Sequence, residues 1–327
     1  MTMIKKIFFK RSWMIPALLL FYLLFPSSCF LSSSHAASSG KRSFLQDADQ
    51  AYKQGSIDKS VDLYQKALSE DPKNIAAAHS LGVTLAEKGE WDRAIDNLKK
   101  VLALNPKGSE IYVDLSLAYA EKKDFENAVS YAQKAVNLDP NKGNSYLTLG
   151  LAYEGLQEPS KAIDAYQRGI EADPKNSDIY LTLGNLYGKQ GSFDSAIHAY
   201  EDAIRQNPKN TYAYSNSAYI YEAKKDEKKA IEVLTRATQA NPNDDVVWYD
   251  LGSAYGKIGA STKAIDNYKK SFDLNPKSYK TCLSLAMAYE KDRNLEKAAS
   301  YYVKAMELTD KPELKEAILR QITRTNQ

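Results

Sequence analysis

The chain has 327 residues, 43% hydrophobic and 26% charged, with 15 glycines and 11 prolines, a composition that excludes collagen-like and disordered classes. Its formal net charge of +3 is misleading, because Lys5, Lys6, Lys10 and Arg11 all precede the first acid, Asp47. Without those four, 40 basic residues face 41 acidic ones; a body that neutral lacks the cationic face that phosphate contacts require, so nucleic acid is not an expected partner.

In chain order, the first segment reads as an address. The basic start is followed by an apolar run, WMIPALLLFYLLF, from Trp13 to Phe25, and then by the small-residue stretch SSSHAASSG, which ends at Gly40. This is the pattern of a secretory signal peptide over residues 1–36, with Ser34 and Ala36 at the −3 and −1 places of the cut and a short linker over 37–40. Two other readings stay open. One is lipidation at Cys29, for which Ser28 suits and Pro26 does not. The other is an uncleaved anchor, although thirteen residues span only about 20 Å of a hydrocarbon core of roughly 30 Å. All three predict export, to the periplasm or cell envelope. Only Cys282 then remains in the body, so no intramolecular disulfide is expected there.

The body is periodic. Pro72, Pro106, Pro140, Pro174, Pro208, Pro242 and Pro276 are each 34 residues apart. With proline at repeat position 32, frames start at residues 41, 75, 109, 143, 177, 211, 245 and 279 and reach 312 with no insertion or deletion. Positions 8, 20 and 27 are small in every frame or nearly so; position 20, for example, holds Ser60, Ala94, Ala128, Ala162, Ala196, Ala230, Ala264 and Ala298. Position 7 is leucine in six of the eight frames, and position 11 is tyrosine in the last six, from Tyr119 to Tyr289. Apolar residues at 4, 7 and 11, then at 20, 21, 24 and 28, predict two helices per frame. Gly55, Gly89, Gly191 and Gly259 at position 15 suit a left-handed helix end. The Asp or Asn before each of the seven prolines suits a turn that stops the second helix.

These columns resemble the tetratricopeptide repeat, over residues 41–312. The resemblance implies an all-α fold, a right-handed α-solenoid of eight two-helix repeats with a concave groove, stabilised by stacking of neighbours. It also implies that the position-11 tyrosines pack in the core. Frame one carries Asp47 and Ala51 at positions 7 and 11, where later frames are mostly leucine and tyrosine, as a wetter end would. After the last frame, residues 313–327 predict a C-terminal capping helix whose stripe is Leu314, Ala317, Ile318 and Ile322, with Asp310 and Glu313 as its capping box.

No phosphate-cradling, dinucleotide, zinc-protease or nucleophile-elbow motif occurs, so neither catalysis nor a cofactor is expected. The body's histidines, His79 and His198, stand in frames two and five and cannot share a metal. Cys282 reads as a small buried hydrophobe.

In the family the groove is drawn chiefly from positions 2, 5, 9, 12 and 13. By that resemblance Val83, Val113, Leu117, Leu147 and Leu151 form an apolar stretch, which either receives a helix or extended segment or packs between neighbouring first helices. Leu181, Asn185, Tyr212, Asn216, Tyr219 and Tyr249 form a second, more polar stretch, where the two amides could grip a peptide backbone beside the tyrosines. The family's carboxylate clamp is absent, because Leu181, Val246 and Asp250 stand at its cation places. The expected function is a non-catalytic interaction scaffold for an envelope or secreted protein. Self-assembly into a homo-oligomeric array, or an accessory role positioning an envelope enzyme or export complex, are the alternatives.

Overall fold

The computed structural model describes residues 43–325; the expected signal segment, with its expected cleavage site and Cys29, and the expected linker lie outside the described residues. Those described form two compact units, one ending at Ile179 and one starting at Tyr180. The first contains α1 (Phe44–Lys53), α2 (Ile57–Glu70), α3 (Ile75–Glu87), α4 (Trp91–Leu104), α5 (Ser109–Glu121), α6 (Phe125–Leu138), α7 (Gly143–Gly155) and α8 (Pro159–Ala172). The boundary falls within α9 (Ser177–Lys189). The second continues with α10 (Phe193–Gln206), α11 (Thr211–Ala223), α12 (Glu227–Ala240), α13 (Asp245–Lys257), α14 (Ser261–Leu274), α15 (Tyr279–Lys291), α16 (Leu295–Glu307) and α17 (Pro312–Thr325). Odd-numbered helices through α15 are first helices of their frames, and even-numbered ones are second helices.

The predicted turns have a common chemistry. The carbonyl of the Asp or Asn before each of the seven prolines accepts the N–H three residues on, as in Asn74 to Asp71 at 3.1 Å and Asn210 to Asn207 at 2.9 Å. Proline supplies no competing donor inside that turn. In several frames the turn delivers a cap to the next helix: Asn74 accepts from Ala77, Asn210 from Ala213, Asp244 from Val246 and Ser278 from Thr281, whereas Gly108 and Lys142 supply no side-chain cap. At the other turn, position 15 is left-handed in all eight frames. Four of these residues are the predicted glycines; the others are Lys123, Gln157, Lys225 and Arg293, with φ of 60–62°. Each is held by the same paired bonds. Gln157 N–H donates to Glu154 O at 3.0 Å, and Glu158 N–H to Tyr153 O at 2.9 Å.

The core lies between the two helices of each frame. At position 24 stand the wholly enclosed tyrosines Tyr64, Tyr166, Tyr200 and Tyr302. Tyr166 and Tyr200 lie against the glycines at position 8 of their own frames, and a Cβ placed on Gly150 would come within 2.3 Å of the Tyr166 ring. The hydroxyls of this column cross to the first helix: Tyr64 donates to Asp49 at 2.8 Å and Tyr166 to Glu154 at 2.7 Å. In the position-11 column Tyr119, Tyr153, Tyr255 and Tyr289 pack on the core as expected, but mostly at its edge. Only Tyr289 is buried; Tyr119, Tyr153, Tyr187, Tyr221 and Tyr255 are half-buried. Lysine ammonium groups cover Tyr153, Tyr221 and Tyr255 at 5.2–5.5 Å, which accounts for tyrosine at a place that is only partly dry.

At the C-terminus, α17 lays Leu314, Ile318 and Ile322 on the core of α15 and α16, and Gln321 donates to Glu290 at 2.6 Å. Its cap differs from expectation. The helix starts at Pro312, so Lys311 is the cap residue, and its carbonyl accepts Lys315 N–H at 3.0 Å. Asp310 therefore lies one residue too early for a capping box with Glu313. Cys282 is fully enclosed, and burial pushes its thiol above the ordinary value.

Candidate peptide-binding face

Tyr212, Asn216 and Tyr219 are spaced four and three residues apart, so they form one stripe along α11. Tyr212 and Tyr219 are 42% and 40% exposed, and Val246 at the start of α13 is 36% exposed. These large side chains are open to a partner. Asn185 on α9 is 6% exposed. Its Oδ1 accepts two hydrogen bonds, from Asn216 Nδ2 at 2.8 Å and from Tyr200 Oη at 2.9 Å. The two asparagines thus hold one another, and the Asn185 carbonyl is saturated from within. Asn216, half-buried, donates in this bond through its amide N–H, so its own carbonyl takes no part in it. Burial pushes the Tyr200 phenol well above its usual range, so its hydroxyl remains a donor at any ordinary pH.

Tyr249 on α13 is half-buried, with its ring tilted 46° against Tyr268 at 5.5 Å, and its hydroxyl accepts from Ser284 at 3.3 Å. Leu181 is enclosed and offers no surface. Of the clamp's cation places, Asp250 is buried and accepts from Ser215 at 2.5 Å, which leaves Val246 facing solvent.

In the unit ending at Ile179, Val113, Leu117 and Leu147 are buried, whereas Val83 and Leu151 are half-buried. Side chains at positions 5 and 9 here fill the space beside the next first helix, so the stretch presents little apolar surface. Sequence reasoning missed a polar pair in the same rows. His79 Nε2 lies 2.5 Å from Asp114 Oδ2. Burial disfavours the imidazolium, but the hydrogen bond and charge of Asp114, with Glu110 nearby, outweigh it and leave His79 above its ordinary value. Burial raises the Asp114 carboxyl, and His79 pulls it only part of the way back. The missed signal is an offset of 35 residues, from position 5 of one frame to position 6 of the next; it recurs in Ser215–Asp250 and Tyr249–Ser284.

Among the described residues, no three His, Cys, Asp or Glu side chains are grouped to hold a metal, and no helix is long and apolar enough to cross a membrane. Within each unit, paired helices repeat at a fixed interval and each leans on the next, the arrangement of an all-α solenoid. The chain belongs to the tetratricopeptide repeat family: one model of that repeat matches residues 45–96, 79–143 and 181–245. Related repeat models match 158–191, 246–278 and 281–316. Among solved structures, yeast Tom70 is 19% identical over 94% of this chain and 68% of that one, with a TM-score of 0.69. The pilF protein of Pseudomonas aeruginosa is 18% identical over 65% and 97%, with a TM-score of 0.51. MamA is 30% identical over 50% of this chain and 95% of that one, with a TM-score of 0.43. At such identities Tom70 and pilF are likenesses of fold alone. Comparison with curated proteins returned no match. Proteins of this family are generally non-catalytic scaffolds for other proteins.

Proposed function

We propose that this protein is an exported scaffold that holds an extended segment of an envelope or secreted protein against α11 and α13. The observation that carries the reading is the stripe Tyr212–Asn216–Tyr219: two exposed phenol rings flank an amide carbonyl with capacity to accept a partner's backbone N–H. Rings of this kind give large contact area with few rotatable bonds, a good basis for a binding hot spot. Asn185 serves as the buried brace that aims Asn216. The export reading rests on the basic, apolar and small-residue order of residues 1–36.

The test is crosslinking and affinity capture from the envelope fraction, comparing wild type with Tyr212→Ala/Tyr219→Ala. Asn185 is left intact, because removing it would strand the Tyr200 hydroxyl. One envelope protein captured by wild type and lost in the double variant is the expected result. Capture that is unchanged by the double variant rejects this face. Intact mass of the mature protein tests export separately: cleavage after Ala36, a lipid on Cys29 and an intact N-terminus give three different masses.

A further inference from the structure

Frame six differs from its neighbours in what fills it. Position 7 is leucine in six frames, but here it is Ser217; position 28 is apolar in the seven other frames, from Leu68 to Met306, but here it is Thr238. Both are buried, Ser217 completely. Thr238 donates to the Thr235 carbonyl at 2.9 Å, whereas the Ser217 hydroxyl has no hydrogen-bond partner among the described residues. The same is true of the enclosed side-chain amide nitrogen of Asn241, at the end of α12. In frame seven its counterpart, Asn275, donates to Asp245 at the start of that frame, at 3.1 Å. In frame six the matching place is Thr211, whose hydroxyl is itself a donor, to Asp244 at 2.6 Å. The backbone agrees with the side chains: α11 and α12 lie close together over less of their length than the paired helices of frames one to four, seven and eight.

We propose that frame six is the first part of its unit to open: α11 and α12 separate locally and reclose while the frames after them stay folded. In a stacked array the stability of a frame is its own packing plus that of its interfaces. Local opening starts where buried apolar contact is scarcest. Frame six lacks two of the hydrocarbon side chains that its counterparts bury, and a buried polar group without a partner lowers stability further. Ile220, at position 10, where frames three, four, seven and eight carry alanine, returns only part of the lost contact. The stripe Tyr212–Asn216–Tyr219 rides on α11. If that face is the partner site, as proposed above, opening lets it adapt to its guest and binding holds the frame shut. That consequence rests on the earlier reading; the opening itself does not.

The test is amide hydrogen exchange of the full chain, read by mass spectrometry as protection in α11–α12, α13–α14 and α15–α16. It needs no partner, so its failure is distinct from failure of the capture experiment. Protection about tenfold lower in α11–α12 than in the other two pairs is expected, the scale of one buried polar group left unmatched. Ser217→Ala/Thr238→Val removes both hydroxyls without overpacking. It should raise protection in α11–α12 about tenfold and leave α15–α16 unchanged. Equal protection of the three pairs in wild type would overturn the proposal. So would a variant in which protection of α11–α12 does not rise, or in which all three pairs rise together, since a shared change reports global rather than local opening.

Discussion

Gln157→Gly should stabilise the protein, although it removes a side chain and adds none. Gln157 is exposed, its φ is 60°, and its side chain makes no hydrogen bond or ion pair. An L-residue in this left-handed conformation costs about 1–2 kcal/mol relative to its preferred regions. Glycine removes that strain but gives the unfolded chain more freedom, which takes back about 0.4–1 kcal/mol. The expected net gain is about 0.5–1 kcal/mol. Gly191→Ala is the mirror experiment. Its φ is 76° and a new Cβ meets nothing within 4 Å, so the loss of about 1 kcal/mol would be backbone strain free of any clash. Lys123, Lys225 and Arg293 are less clean, because each is a cation beside a helix C-terminus and its removal costs about 0.3–1 kcal/mol. Urea unfolding followed by circular dichroism reads the change as a shifted midpoint at constant slope. If Gln157→Gly is neutral or harmful while Gly191→Ala is neutral, strain at position 15 is not what the turn costs.

Three further outcomes are expected. Gly150→Ala should destabilise by about 1–2 kcal/mol, because overpacking against Tyr166 exceeds the gain in helix propensity; Gly256→Ala, whose new Cβ meets nothing closer than 3.7 Å, should gain up to about 1 kcal/mol, and matched melts of the two variants check the opposite signs. His79 has its folded-state value above the ordinary 6.5, so its contribution is fully present below 6.5 and is lost as pH rises through the raised value. Asp114, also raised, acts in the same direction. Midpoints measured from pH 5 to 9 should therefore fall more in wild type than in His79→Gln, and parallel curves would reject the pair as the cause. Removing residues 313–327 uncovers the core beneath Leu314 and Ile318 and should lower the melting temperature; an unchanged melt would show that α17 covers nothing of consequence.

The repeat frame was legible because one interval governs three independent signals: the proline, the small columns and the apolar columns. The eight-fold turn at position 15 was only half legible, since glycine marks it in four frames and the backbone imposes it on Lys123, Gln157, Lys225 and Arg293 in the rest. The position-24 tyrosines looked like any apolar column. Their meaning comes from Gly150 or Gly184 across the helix pair and from Glu154 or Asp49 at the far end, neither of which the spacing of tyrosine encodes. At the candidate face the sequence put Asn185 and Asn216 together, and a hydrogen bond joins them, but the role of Asn185 was not visible. Its carbonyl is consumed by Tyr200 and Asn216, and that depends on depth, which the sequence of one helix face does not give.

The more enclosed bonds that cross from frame to frame also act as addresses, unlike the exposed Lys–Asp pairs, which repeat. His79 meets Asp114, Asn216 meets Asn185, Ser215 meets Asp250, and Ser284 meets Tyr249; no two of these joints use the same pair. The backbone would accept the frames in any order, since all have one length and one turn geometry. The joints would not. Excising residues 109–142 leaves every helix in phase, yet puts Thr148 where Asp114 had met His79, and a half-buried imidazole loses its counter-charge. Order along this chain is thus written in its polar residues, while the apolar ones specify only that the frames stack.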